Sequence, residues 1–205
     1  MKIYLETAKT QEIQETINLG ILDGVATNTS LISKESRNFY DGLLEICQIV
    51  DIPISVGVLS VEEKTMVKEG KELATLHKNI FVKFPLTWDG LKATKRLTDL
   101  GVRVSVTLCR TPAQALLAAK AGAWSVSPII HWCEVSKAND LGLVCQIVRM
   151  LRIYEYETQV LLPNVRNPSY LDDITLMGNH ICSMPFGILK QVLTPHIMNN
   201  GDLPL

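Results

Sequence analysis

The strongest constraint on this chain is an alternation that repeats eight times. Short β-branched or apolar runs stand at 3–5, 24–27, 54–58, 80–84, 102–108, 124–127, 158–162 and 181–184, and a stretch with helical periodicity follows each. Their mid-points lie roughly 20 to 35 residues apart, the size of a βα unit. Strands separated by helices pair in parallel, with the helices covering the sheet. Eight such units close into a (β/α)8 TIM barrel, which needs at least about 200 residues. The chain has 205, so the expectation is an α/β protein with one barrel domain over 1–205. A doubly wound open sheet is the competitor. It requires a glycine-rich phosphate turn after an early strand, and Gly20 to Gly24 does not supply G-x-G-x-x-G.

Helix signals fit the same scheme. Ser60 and Glu63 read as a capping box ahead of Met66, Val67, Leu73 and Ala74. Thr111-Pro112-Ala113-Gln114 reads as a second, with proline in the first turn and a stop near Gly122. Phe39, Tyr40, Leu43, Leu44, Cys47 and Val50 mark one apolar face, and Leu141, Val144, Ile147, Val148 and Leu151 another.

Composition then removes several function classes. Twenty basic against twenty-one acidic side chains leave a formal charge of −1, which argues against a nucleic-acid or anionic-membrane partner. No uncharged apolar run reaches the length of a membrane span, and the first residues lack the apolar core of a signal peptide. A cytoplasmic protein is expected. The five cysteines form no C-x-x-C pair, so buried, reduced thiols are expected, Cys47 and Cys145 among them.

In such a barrel the active site lies at the carboxyl ends of the strands. Those ends carry Glu6, Thr27, Asn28, Gly57, Lys83, Thr107, Ser127, Asn164 and Arg166. Lys83 is the sharpest of them, an ammonium inside the apolar run Ile80-Phe81-Val82-Lys83-Phe84-Pro85. Poor solvation favours its neutral form, and a neutral amine attacks a ketone to form a Schiff base. The plainer alternative is a lysine that reaches past the strand end to water. Glu6 is placed for proton transfer across the same mouth, or is simply a strand-end carboxylate. Thr107 would hold a water or a substrate hydroxyl. Arg166 follows the seventh strand, where barrels often seat a phosphate. His131-Trp132-Cys133-Glu134 does not match zinc spacing, and no metal is expected. That region, with Asn139 and Asp140, reads as a loop over the mouth or a subunit contact, and the other histidines carry no expected chemistry.

Several stretches together identify a relative. Leu5-Glu6-Thr7-Ala8, Leu22 to Asn28, Val82-Lys83-Phe84-Pro85, Gln114 to Ala123, Val126-Ser127-Pro128 and Met184-Pro185-Phe186 occur in an order and spacing that resembles the small transaldolase family, which includes fructose-6-phosphate aldolase. The resemblance implies the barrel, and a metal-independent class I mechanism without a cofactor. Lys83 would be the Schiff-base lysine, Glu6 the proton acceptor and Thr107 the holder of the relay water. Thr27, Asn28, Ser127, Asn164 and Arg166 would bind a sugar-phosphate substrate, and the chain would assemble as a homo-oligomer of five-fold rings. Departures from the family pattern are specific. Glu6 replaces an aspartate and reaches about 1.5 Å further. Gly57 replaces a glutamate or glutamine, Ile129 an aromatic residue, Trp132 an arginine, and Asn164 a serine. Arg110 offers a substitute cation. An alternative is therefore a catalytically degenerate barrel that binds a sugar phosphate or serves as an interaction protein.

Overall fold

Eight strands lie where the apolar runs predict them, in a computed structural model that describes residues 1–35, 38–131 and 137–194. They are β1 (Lys2–Glu6), β2 (Gly24–Thr27), β3 (Ile54–Gly57), β4 (Ile80–Pro85), β5 (Val104–Cys109), β6 (Ser125–Pro128), β7 (Gln159–Leu162) and β8 (Ile181–Met184). Every neighbouring pair is parallel, and β1 pairs with β8 to close the barrel. Around it run α1 (Thr10–Asn18), α2 (Thr29–Lys34), α3 (Phe39–Ile49), α4 (Glu63–Leu76), α5 (Trp88–Thr98), α6 (Pro112–Lys120), α7 (Lys137–Ile153), α8 (Leu171–Leu176) and α9 (Phe186–Leu193). The β2–β3 connection holds two helices, because Asn38 starts a second one by accepting from the Tyr40 amide.

Side chains alternate across a strand, so each strand sends one set inward and one set against the helices. The outward set includes Leu5, Val25, Val56, Val82, Val106, Val126 and Leu162. It is fully buried and joins Ile13, Leu43, Leu73, Leu97 and Ile147 from the helices in the main core. Burying each such aliphatic side chain contributes about 1.5–3 kcal/mol. The inward set begins at the amino end with a separate plug of Tyr4, Phe81, Leu161 and Ile181. Gly24 faces this plug: a Cβ there would stand 2.4 Å from the Tyr4 ring, so only glycine fits. Higher in the barrel Ser125 donates to Ser105 at 2.8 Å, both buried. Two residues on from this level, the same period brings Glu6, Ala26, Lys83, Thr107, Ser127 and Ser183 to the carboxyl end.

Three local expectations are corrected. Ser60 is not a helix cap. Glu62 precedes α4 without a side-chain cap, and Glu69 instead accepts from the Leu59 and Ser60 amides at 2.9 and 3.0 Å. Cys145 is exposed, since the buried stripe of α7 runs through Val144, Ile147, Val148 and Leu151. Asn139 and Asp140 belong to α7 rather than to a loop. The second pattern forms in half: Thr111 accepts from the Gln114 amide at 3.2 Å, with Pro112 in the first turn, but the Gln114 side chain accepts from the Arg110 amide at 2.7 Å rather than from that of Thr111.

Candidate active site

A cavity of about 300 Å³ opens at the carboxyl ends of the strands, and every strand contributes to its wall. Lys83 projects into it from β4. Among the described residues Lys83 makes no hydrogen bond and no ion pair. Burial holds its pKa below the ordinary lysine value, and the Glu6 carboxylate acts in the opposite direction. Beside it on β3, Gly57 leaves open space: a Cβ there would meet only Lys83 Cε, at 3.8 Å.

Glu6 is held from the opposite side by three groups. Its Oε1 accepts from Ser183 Oγ at 2.5 Å and from the Asn164 backbone amide at 2.7 Å. With the Asn164 amide oriented to satisfy its surroundings, its nitrogen donates to Glu6 Oε2 at 3.1 Å, and its oxygen accepts two bonds of 3.0 Å from Arg166. Asn164 sits in the left-handed region, φ 57°, which asparagine tolerates. That conformation turns its amide N–H back onto Glu6. A carboxylate with this many donors is fixed in direction, as a proton acceptor at a cavity mouth must be.

Strand β5 departs from regularity where it reaches the cavity. Its register with β6 shifts between Val106 and Cys109, and Leu108 takes φ 68°. An extra residue therefore enters the strand end. Thr107 still lines the cavity, its Oγ1 donating to the Phe84 carbonyl at 3.2 Å, while Leu108 is turned outward over the mouth, 54% exposed.

Of the eight residues expected from sequence, Lys83, Glu6, Thr107, Ser127 and Asn164 line this one cavity. Three do not. Thr27 shares the outward parity of Val25, while Ala26 takes the place in the wall. Asn28 caps α2, its side chain accepting from the Leu31 amide at 2.8 Å. Arg166 is exposed and reaches the site only through Asn164. Arg110 is likewise exposed and is not part of the wall. Sequence reasoning missed Ser183, Ser55, Leu108 and Ile130. The available signal was the two-residue period, which puts Ser183 level with Lys83 and Ser55 one step deeper. Ser55 Oγ is buried in the cavity wall without a hydrogen-bond partner.

His131 bonds a single carboxylate. Its backbone amide donates to Asp140 Oδ2 at 2.9 Å, and its Nδ1 lies 3.1 Å from Asp140 Oδ1. Trp132, Cys133 and Glu134 lie outside the described residues, as does His196. Burial pushes the thiols of Cys47, Cys109 and Cys182 up to about 11, 12 and 12, so they are unreactive at neutral pH.

The chain matches the family model described as Transaldolase/Fructose-6-phosphate aldolase over residues 3–200. It is 43% identical over 201 residues to a probable transaldolase of Desulfosudis oleivorans, covering 98% of this chain and 94% of that protein. A probable transaldolase of Sorangium cellulosum is 40% identical over 203 residues, covering 99% and 94%. Among solved structures, 3-hexulose-6-phosphate synthase from Salmonella typhimurium superposes with a TM-score of 0.62 at 13% identity, over 94% of this chain and 96% of that one. This last likeness concerns the fold alone.

Proposed function

Because the chain belongs to the transaldolase/fructose-6-phosphate aldolase family, we propose that it makes and breaks the C3–C4 bond of a ketose through a dihydroxyacetone enamine on Lys83. The neutral Lys83 amine adds to the C2 carbonyl. The carbonyl oxygen leaves as water after taking up protons, and an iminium remains. Glu6 accepts the proton of the C4 hydroxyl as the C3–C4 bond breaks, and C4 departs as an aldehyde. The bonding pair moves toward the iminium and gives the enamine. Two fates follow. Protonation of C3 and hydrolysis release dihydroxyacetone, which is aldolase action. Attack of C3 on a second aldehyde, whose oxygen recovers the proton from Glu6, is transaldolase action. The iminium itself is the electron sink, so this sequence calls for neither metal nor cofactor.

The observation that supports this most is Lys83: a half-buried lysine in a cavity wall, without an ion pair among the described residues, and facing a fixed carboxylate. In this reading Thr107 orients the water exchanged at C2, while Ser127 and Asn164 border the bound ketose. Thr27 and Asn28 shape the β2 end rather than touch the reacting atoms. By the same family relation we assign the protein to the cytoplasm as a homo-oligomer of five-fold rings, which sedimentation equilibrium tests directly. The chemical test is borohydride reduction in the presence of dihydroxyacetone. It should add one donor-sized mass to Lys83 and none to Lys83→Met. A folded protein that takes no adduct at neutral pH would leave the degenerate-barrel reading in place.

A further inference from the structure

We infer that Ser55 sets the specificity of this site for the short end of the ketose, its hydroxyl binding the C1 hydroxyl of the donor. The inference rests on the Lys83 reading and deepens it, because it assigns the donor end of the same cavity.

Strand register puts Ser55 on the cavity floor. Ser55 pairs with Phe81 of the amino-end plug, and Gly57, two residues on, pairs with Lys83. On its other side Ser55 pairs with Ala26. Ser55, Ala26 and Leu161, a further plug residue, all line the cavity. Side chains two apart on a strand share a face, so the space above Ser55 is where a side chain at 57 would stand. Gly57 leaves that space open, since a Cβ there would meet only Lys83 Cε, at 3.8 Å. The β2–β3 side of the barrel thus holds a pit beside Lys83, walled by alanine, serine and glycine and closed below by the plug.

The polar groups around this pit are otherwise occupied. Ser183 and Asn164 hold Glu6. Thr107 donates to the Phe84 carbonyl, and Ser125 donates to Ser105. Ser127 stands higher, beside the β5 bulge. Ser55 differs from all of these: it is 1% exposed, and its Oγ has no hydrogen-bond partner among the described residues. A hydroxyl buried without a partner is destabilising. In the wall of a cavity large enough for a small substrate, it gains a partner when the ligand arrives.

The shape of a ketose identifies that partner. With C2 on Lys83, C3 and C4 run toward Glu6 and the rest of the chain leaves by the mouth. C1 is the remaining one-carbon end, and it points down into the pit. Its hydroxyl both donates and accepts, as does that of Ser55, so one bond satisfies both. A 1-deoxy ketose would set a methyl group against Ser55 and leave the serine unpaired, which a site built to bond a hydroxyl penalises.

The test compares the full wild-type chain with Ser55→Ala. Half-maximal borohydride trapping should need about tenfold more dihydroxyacetone in the variant, the fold-change of one neutral hydrogen bond. In cleavage, kcat/KM for fructose 6-phosphate should fall by about the same factor, while that for 1-deoxyfructose 6-phosphate should not change. Thermal unfolding of the variant, read alongside, separates this loss from a folding defect. A half-saturation that the substitution leaves unchanged, or an equal loss on both ketoses, as a bound water or wall packing would give, overturns the inference and leaves the Lys83 chemistry intact. Failure of the wild type to take a dihydroxyacetone adduct removes the underlying reading, and the inference with it.

Discussion

Shortening Glu6 to aspartate tests the site reasoning most severely, because the family pattern favours aspartate there and a sequence-guided redesign would make that change. Removing one methylene withdraws the carboxylate by about 1.5 Å. The bond from the Asn164 amide, 2.7 Å long, would stretch to roughly 4 Å, beyond hydrogen-bonding distance. The Ser183 contact at 2.5 Å would be lost in the same way. Each charge-assisted bond is worth about 1.5–3 kcal/mol, and partial exposure of the mouth puts the combined loss toward the lower end. Catalysis should suffer more than stability. A proton acceptor misplaced by about 1 Å costs on the order of a hundredfold, so kcat for ketose cleavage should fall about 100-fold in Glu6→Asp. The assay is steady-state release of the aldehyde, read beside thermal unfolding and beside Glu6→Gln, which keeps the reach but cannot accept the proton. A Glu6→Asp enzyme as fast as the wild type, or faster, would refute the claim that Ser183 and Asn164 fix a glutamate-length carboxylate.

Other predictions follow from single contacts. Burial lowers the Lys83 pKa in the folded state, so the unfolded chain binds the extra proton as pH falls below the ordinary lysine value. Stability conferred by this group is complete above that value, about 10.4, and is lost as pH falls through the folded pKa. Urea unfolding should therefore show wild-type stability rising from pH 7 to 9.5, and Lys83→Met should be more stable at pH 7 with less of that rise. Activity should increase with pH through the lowered Lys83 pKa, as the amine becomes free. Ser55→Ala should leave the melting temperature unchanged or higher, because the hydroxyl it removes is buried without a partner. Gly24→Ala should destabilise by about 1–3 kcal/mol in chemical denaturation, because its Cβ would stand 2.4 Å from a ring with no room to retreat.

The barrel was legible because its signal is local and redundant. A slip of one or two residues at a strand end, as at 102–108 against Val104–Cys109, leaves the alternation intact. Lys83 was legible for a related reason, since a charge in an apolar run is anomalous whatever surrounds it. Thr27 and Asn28 were misplaced because polarity at a strand end does not say which way a side chain points. Register with β1 and β3 does, and it gives the wall to Ala26. Ser60 with Glu63 matched a capping pattern, but Glu69, a turn and a half further on, reached back to the amides first.

The sequence alone determined the number of βα units, their parallel pairing, the rim that carries the candidate site and the lysine at its centre. These follow from hydrophobic periodicity and from the cost of burying a charge, both properties of short segments. Only the tertiary structure decided what surrounds that lysine. Ser183 and Asn164 meet Glu6 across 177 and 158 residues of chain, Arg166 is drawn onto Asn164, and a bulge turns Leu108 over the mouth. Closure of the ring brings those side chains within bonding distance, and no local pattern encodes a contact between segments so far apart.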